Sequence, residues 1–349
     1  MNIAVILPSL ANKGPILVAR DVIDYLLEND NRLNVDVYYF DEGPSIDFKC
    51  PTFKIDFFKG FDFDKYDILH SHMLRPDAFL IWHRHKIQSH CITTLHVYMY
   101  LDLMYSYNKV IAYVVEKIWL WVISKFSAIV VLSLDMKNYY SKMIPNSNFR
   151  IINNGRNVSD FEIDPAIVDS INRKFENKIL LGVIALLTKR KGVEQLIYCL
   201  ELDPTLGLLI IGDGPERRYL EALAKKLKVV DRVLFLGMQD NAHIYNKLID
   251  IYILPSRSEG LPMSLIEAAY YGKPSVCSNL PLFLEFFDEE ELVTYELDNI
   301  ESLNNSIKLA WQNRLKFSSN INKKYLSNYH SNMMGFSYLR LYVDLINNN

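Results

Sequence analysis

The chain is poor in cysteine. Four occur in 349 residues, at positions 50, 91, 199 and 277, and no two form a CxxC pair. That spacing argues against a sequence-local zinc site and against a disulfide framework, and it fits a reducing cytoplasm. No uninterrupted apolar run reaches the length of a membrane span. The nearest candidate, VIAYVVEKIWLWVISKF (Val110 to Phe126), is broken by Glu116 and Lys117, which argues against a spanning helix. Neither sign of charge dominates: the net charge is −3, so nothing points to whole-chain binding of nucleic acid. The first residues, MNIAVILPSL, lack a basic segment, and Pro8 stops their apolar run. They predict a first buried strand rather than a signal peptide. Short repeats and low-complexity segments are also missing.

What is present is an ordinary globular composition, 50% hydrophobic and 23% charged, in a chain too long for one comfortable core. The length predicts two domains of about 150 residues each. Short apolar runs alternate with helical patterns from end to end. The first half carries IAVILP, VDVYYF, DILHSHM, CITTLHV and AIVVLS. The second carries ILLGVIAL, LGLLIIGDG, RVLFLG, IYILPS and PSVCS. Near-continuous apolar strands are what a parallel sheet covered on both faces requires. Between them, GPILVARDVIDYLLE puts Ile16, Ala19, Ile23 and Leu26 on one helical stripe. PERRYLEALAKKLK opens with Pro215 and Glu216 and ends in lysines, the charge order a helix dipole favours. The alternation predicts two doubly wound α/β domains, residues 1–160 and 161–330, with an amphipathic terminal helix over 331–349.

The stretch PSRSEGLPMSLIEAAYYGKP (Pro255 to Pro274) carries the most chemistry. The loop RSEGLP follows the carboxyl end of the strand IYILPS, where open α/β sheets bind ligands. A helix starting near Pro262 would offer N–H groups to an anion. Glu259 lies just before that point and Glu267 more than a turn beyond it. Eight helical residues span about 12 Å, so the two carboxylates are expected roughly 10 Å apart, flanking an anion. Carboxylates accept from hydroxyls. A ligand with hydroxyls at both ends and phosphates between them fits, and a sugar nucleotide has that form. Taken alone, the spacing also suits an exposed helical glutamate beside one that favours the helix dipole.

The stretch resembles the E-x7-E motif of retaining glycosyltransferases of family 4, which have the two-domain GT-B fold. LTKRKGVEQLI, LLIIGDGPERRYLEALAKKL and VLFLGMQD are similar to further family segments in the family's order. DILHSHM, TTLH, AIVVLS and IINNG match weaker patterns in the first half, and FSYLRLY resembles the final helix. The resemblance covers nearly the whole chain and is strongest over 179–280. It implies two Rossmann-like domains facing a cleft: an N-terminal acceptor-side domain, to which the C-terminal helix crosses back, and a C-terminal nucleotide-sugar-binding domain.

Residue by residue, the resemblance implies that Glu259 contacts the donor hexose near the leaving phosphate. Gly260, Leu261 and Pro262 would supply backbone N–H groups and shape there. Glu267 would accept from the ribose hydroxyls. Lys191 would neutralise the diphosphate as charge builds on it. The matching histidine, His96, would lie beside the donor sugar. Gly14, in ANKGPILVAR, would bring backbone near phosphate or acceptor. Asn154 and Gly155 match a junction pair whose role is the geometry of the turn. The sequence departs from the pattern at Leu186, where the family usually has an arginine. Lys189 or Arg190 is then the candidate for the second phosphate cation.

Other features are read as decoys. Asp62 and Asp64 form a DxD, but before a strand rather than after one. His70 and His72, like His83 and His85, lack a Cys or acidic partner at ligand spacing. No metal and no other cofactor is therefore expected, the nucleotide sugar being a substrate. Residues 82–126 mix aromatics with cations, which suits peripheral membrane contact or a lipid-linked acceptor as well as a helix pair packed on the sheet. The expected activity is transfer of a hexose from a nucleoside diphosphate sugar, UDP-linked, to a hydroxyl of a growing glycan or lipid-linked glycan. The expected setting is the cytoplasm, in bacterial surface polysaccharide assembly such as O-antigen, capsule or lipopolysaccharide. The alternatives are a non-catalytic binding subunit on the same fold, motivated by Leu186, and a sugar-nucleotide epimerase.

Overall fold

The computed structural model describes residues 1–347, and its chain forms two compact units. One comprises Met1–Asn157 and the chain from Tyr329 onward; the other is Val158–Asn328.

The first unit is built on seven parallel strands: β1 (Asn2–Ser9), β2 (Asn34–Asp41), β3 (Thr52–Lys54), β4 (Ile68–His72), β5 (His90–Leu95), β6 (Ala128–Val131) and β7 (Phe149–Ile151). Their order is β3-β2-β1-β4-β5-β6-β7. Ile3 to Leu7 are buried, as expected for a central strand covered on both faces. The predicted stripe Ile16, Ala19, Ile23 and Leu26 is the buried face of helix Gly14–Asn29. Helix Ser331–Asn347 packs on that helix so closely that a Cβ at Gly335 would meet the Tyr25 ring at 2.2 Å. The returning chain is fastened nearby. The Arg156 N–H donates to the Tyr329 carbonyl at 2.8 Å, and Arg156 Nη1 reaches both Asp21 carboxylate oxygens at 3.0 and 2.9 Å.

The second unit carries six parallel strands: β8 (Ile179–Ile184), β9 (Leu206–Ile211), β10 (Val233–Gly237), β11 (Ile251–Leu254), β12 (Ser275–Ser278) and β13 (Val293–Tyr295), in the order β10-β9-β8-β11-β12-β13. Every residue of β9 is buried. Leu196, Ile197 and Leu200 of helix Glu194–Leu202 pack with Leu208 and Ile210 in the core below. The helix expected to open with Pro215 and Glu216 runs instead over Arg217–Lys226, with Glu216 as its cap. Gly212 and Gly214 hold the preceding backbone in a turn against residues 185–187.

Each sheet reverses its strand order once, between β1 and β4 in the first unit and between β8 and β11 in the second. Two neighbouring strands there send their following loops in opposite directions. This opens a crevice at the carboxyl ends, the usual ligand position in open α/β sheets.

Candidate active site

The loops after β8 and β11 meet at the second unit's reversal point. After β8, Lys189–Lys191 forms a single tight turn closed by Gly192 at φ +62°. Glycine is required there twice over. The left-handed conformation disfavours a side chain, and a Cβ would stand 2.3 Å from the Pro255 carbonyl oxygen. The turn therefore lies flush against the loop after β11. Gln195 locks the junction, donating to the carbonyls of Gly192 and Pro255 at 3.1 and 2.9 Å. Its own carbonyl accepts from the Tyr295 hydroxyl at 2.9 Å. Arg257 ties the outside, with its N–H on the Arg190 carbonyl and its guanidinium on the Lys189 carbonyl, Glu194 and Asp298.

Glu259 sits inside this junction. Lys191 Nζ donates to its Oε1 at 2.5 Å and the Ser256 hydroxyl to the same oxygen at 2.6 Å. Arg190 Nη1 lies 3.3 Å from Oε2 and donates to the Ser258 carbonyl at 2.5 Å. Burial pushes the Glu259 carboxyl up. The charges of Lys191 and Arg190, with the hydrogen bonds from Lys191 and Ser256, outweigh that push and hold it below its ordinary value. The carboxylate is ionised and acceptor-only at neutral pH. The structure thus brings together Glu259, Lys191 and Arg190.

Gly260, Leu261 and Pro262 are buried beyond Glu259. Pro262 caps helix Met263–Tyr270 at φ −74°, rather than occupying its first position. The first N–H groups of that helix have no carbonyl within it to bond, and its dipole favours an anion. Glu267, on the same helix, is only 7% exposed. That rules out an ordinary solvated helical glutamate. Leu186, at the position where an arginine was expected, lies in the loop after β8 with its side chain 55% exposed.

His96 and Gly14 belong to the first unit. His96 follows β5, and its Nε2 lies 2.9 Å from Nδ1 of His72, the last residue of β4. One ring must donate and the other accept, so the two cannot both be protonated at the facing nitrogens. Burial pushes His96 down to about 3, and burial with the neighbouring His70 and His96 rings pushes His72 well below its ordinary value. His70 continues the network, with Tyr342 Oη at 2.7 Å from Nδ1 and Thr94 Oγ1 at 2.8 Å from Nε2. Gly14 opens helix Gly14–Asn29, with Pro15 next to it. Beside it, a cavity of about 340 Å³ at the ends of β1 and β2 is lined by Ser9, Lys13, Tyr39 and Asp41 among others. Asp62 and Asp64 are exposed near the amino end of β4, away from the strand ends that carry these residues.

Several partners were not anticipated from the sequence. Ser256 ends the quoted run IYILPS, but a lone serine has no signature. Gln195 and Tyr295 are a hundred residues apart. His72 was noted only for its spacing from His70.

The family description "Glycosyl transferases group 1" matches residues 167–326, and "Glycosyltransferase Family 4" matches residues 21–160. The O-antigen biosynthesis glycosyltransferase WclY of Escherichia coli is 29% identical over 355 aligned positions, covering 99% of each chain. Two solved structures share the fold. Sucrose-phosphate synthase from Thermosynechococcus elongatus has a TM-score of 0.83 at 18% identity and covers 100% of both chains. Anabaena Alr3699/HepE, in complex with UDP and glucose, has a TM-score of 0.81 at 16% identity, covering 99% of this chain and 100% of its own. With an ionised glutamate, two cations and a helix N-terminus at the reversal of a parallel sheet, the chain belongs to glycosyltransferase family 4 and has the GT-B fold.

Proposed function

We propose that the protein is a retaining hexosyltransferase. It moves a sugar from a UDP-linked donor to a hydroxyl of a growing glycan or lipid-linked glycan in surface polysaccharide assembly. The observation that carries this is the contact of Glu259 with Lys191 and Arg190 beside the start of helix Met263–Tyr270. The cations and the helix N-terminus suit a diphosphate; the carboxylate suits the sugar hydroxyls next to it. On binding, Lys191 and Arg190 turn toward phosphate oxygens, and Glu259 exchanges its cation contacts for hexose hydroxyls. Glu267 accepts from the ribose. The second unit then binds the nucleotide sugar, and the first, which carries His96 and Gly14, serves the acceptor.

The chemistry is a front-face displacement. The leaving phosphate oxygen helps take the acceptor proton as the new bond forms on the face the diphosphate leaves. Lys191 and Arg190 stabilise the charge developing on that diphosphate. The proposal calls for no metal. Two relatives support the polysaccharide setting by their names: the O-antigen enzyme above and the amylovoran biosynthesis glycosyltransferase AmsD of Erwinia amylovora. UDP in the HepE complexes supports the choice of base.

The test is transfer from UDP-hexose, followed by NMR of the anomeric proton, with and without chelator. A product with the donor's configuration, formed equally with chelator and lost in Glu259→Ala, supports the proposal. Inversion contradicts it, as does donor turnover without acceptor, which an epimerase predicts. The exposed Leu186 favours one rival, a binding subunit that holds the nucleotide without turnover.

A further inference from the structure

Helix Lys109–Ile123 has two unlike faces. The inner face is pinned by specific contacts. Trp119 Nε1 donates to the buried Asp77 carboxylate at 2.7 Å. Glu116 accepts from the Tyr139 hydroxyl at 3.1 Å and from the Tyr100 N–H at 3.3 Å. Ala112, Leu120 and Ile123 fill the core around them. These contacts fix the helix's rotation about its axis.

The outer face follows from that rotation. Val110, Val114, Lys117, Ile118 and Trp121 fall at i, i+4, i+7, i+8 and i+11, a single helical stripe. Val110 is 72% exposed, and Ile118 and Trp121 are 59% exposed each. A solvated helix face is ordinarily polar, yet this one is apolar over about 16 Å. Its charge is of one sign. Between Leu103 and Leu134 the only acidic residue is Glu116, which is buried, whereas Lys109, Lys117 and Lys125 are all exposed. Lys117 Nζ lies 5.4 Å from the centre of the Tyr113 ring. Tyr113 and Trp121 are amphipathic rings of the kind that sit at a headgroup boundary, and long lysines keep their charges in water while their stems cover apolar surface.

We propose that this face of helix Lys109–Ile123 is a membrane-docking surface for an anionic bilayer. The apolar stripe enters the headgroup–acyl boundary and the three lysines face anionic headgroups. No helix among the described residues is long and apolar enough to cross a membrane, so the contact is peripheral. The aromatic-rich region predicted over 82–126 thus narrows to one helix face. The surface rests on the transfer proposal only for its purpose, which is to hold the enzyme where lipid-linked glycans are.

The test is co-sedimentation of the full chain with vesicles of phosphatidylethanolamine and phosphatidylglycerol, against vesicles of phosphatidylcholine. The wild type is expected to sediment with the anionic vesicles and to show a blue-shifted tryptophan emission. A Val114→Ser, Ile118→Ser, Trp121→Ser variant is expected to bind about tenfold more weakly or worse. Lys109→Gln, Lys117→Gln and Lys125→Gln are each expected to weaken binding about fivefold, and together to erase the preference for anionic lipid. Failure of the wild type to sediment, or unchanged binding by the serine variant, would overturn the proposal. So would a lipid-free dimer that the serine variant converts to monomer, since the face would then seat a second copy. Nucleotide-induced thermal shifts on the same preparations report the donor site separately, so either failure is recognised for what it is.

Discussion

Lys191 Nζ donates to Glu259 Oε1 at 2.5 Å, across 68 residues of sequence. The cation and the carboxylate are one unit held by two loops, and the Lys191 charge is the main compensation for burying the carboxylate. Truncating either one leaves a poorly solvated charge behind. Glu259→Ala is expected to cost about 3 kcal/mol of stability and at least about a hundredfold in kcat. Lys191→Met combined with Glu259→Leu is expected to recover much of the stability and none of the turnover. Thermal melts and initial rates on the three proteins check both statements. A Glu259→Ala protein with wild-type rates would remove the carboxylate from the mechanism.

Arg190 reaches the same carboxylate that Lys191 holds. We expect it to act as the second cation on the diphosphate, replacing the arginine that Leu186 lacks. Arg190→Ala should then weaken UDP binding about tenfold, the scale of one charge-assisted hydrogen bond. Leu186→Arg should improve it by less. Calorimetric titration of UDP into the two variants decides this. A large gain from Leu186→Arg with no loss from Arg190→Ala would show that the second cation is absent here.

The buried histidines predict acid sensitivity. Burial and the nearby His96 ring hold His70 down at about 3, so it stays neutral in the fold and gains a proton when the chain unfolds below about pH 6.5. The unfolded state binds more protons in that window, so stability falls as the pH drops from 6.5 toward 3. At pH 5 the loss for His70 is about 2 kcal/mol. Glu259, held below its ordinary 4.5, acts in the same direction at lower pH: its stabilisation is present above that value and is lost as pH falls through the folded value. Thermal melts from pH 7 to pH 5 should show a decline that His70→Gln blunts. A flat profile would contradict the burial of these rings.

The fold was legible where chemistry leaves a long pattern. Fully buried strands such as Leu206–Ile211 and the stripe from Ile16 to Leu26 can be read directly, because burial on both faces or on one stripe sets residue type. Strands Thr52–Lys54, Phe149–Ile151 and Val293–Tyr295 are edge strands of three residues each, too short to show a period. In the site, Glu259, Glu267 and Lys191 stood out through local motifs. The contact between Arg190 and Glu259, the Gln195 lock and the His72–His96 pair did not. Each depends on loops or strand ends that only the parallel order of the sheet brings together.

The central claim is that the reversal between β8 and β11 holds a nucleoside diphosphate, with Glu267 on its ribose. The most direct test is thermal stability with UDP, GDP, dTDP and CMP, in the wild type and in Glu267→Ala. A ligand at a hundred times its Kd adds about 2.7 kcal/mol, a shift of a few degrees for a chain of this size. The expected result is a shift with UDP that Glu267→Ala loses. No shift with any of the nucleotides, or an equal shift in Glu267→Ala, would contradict it.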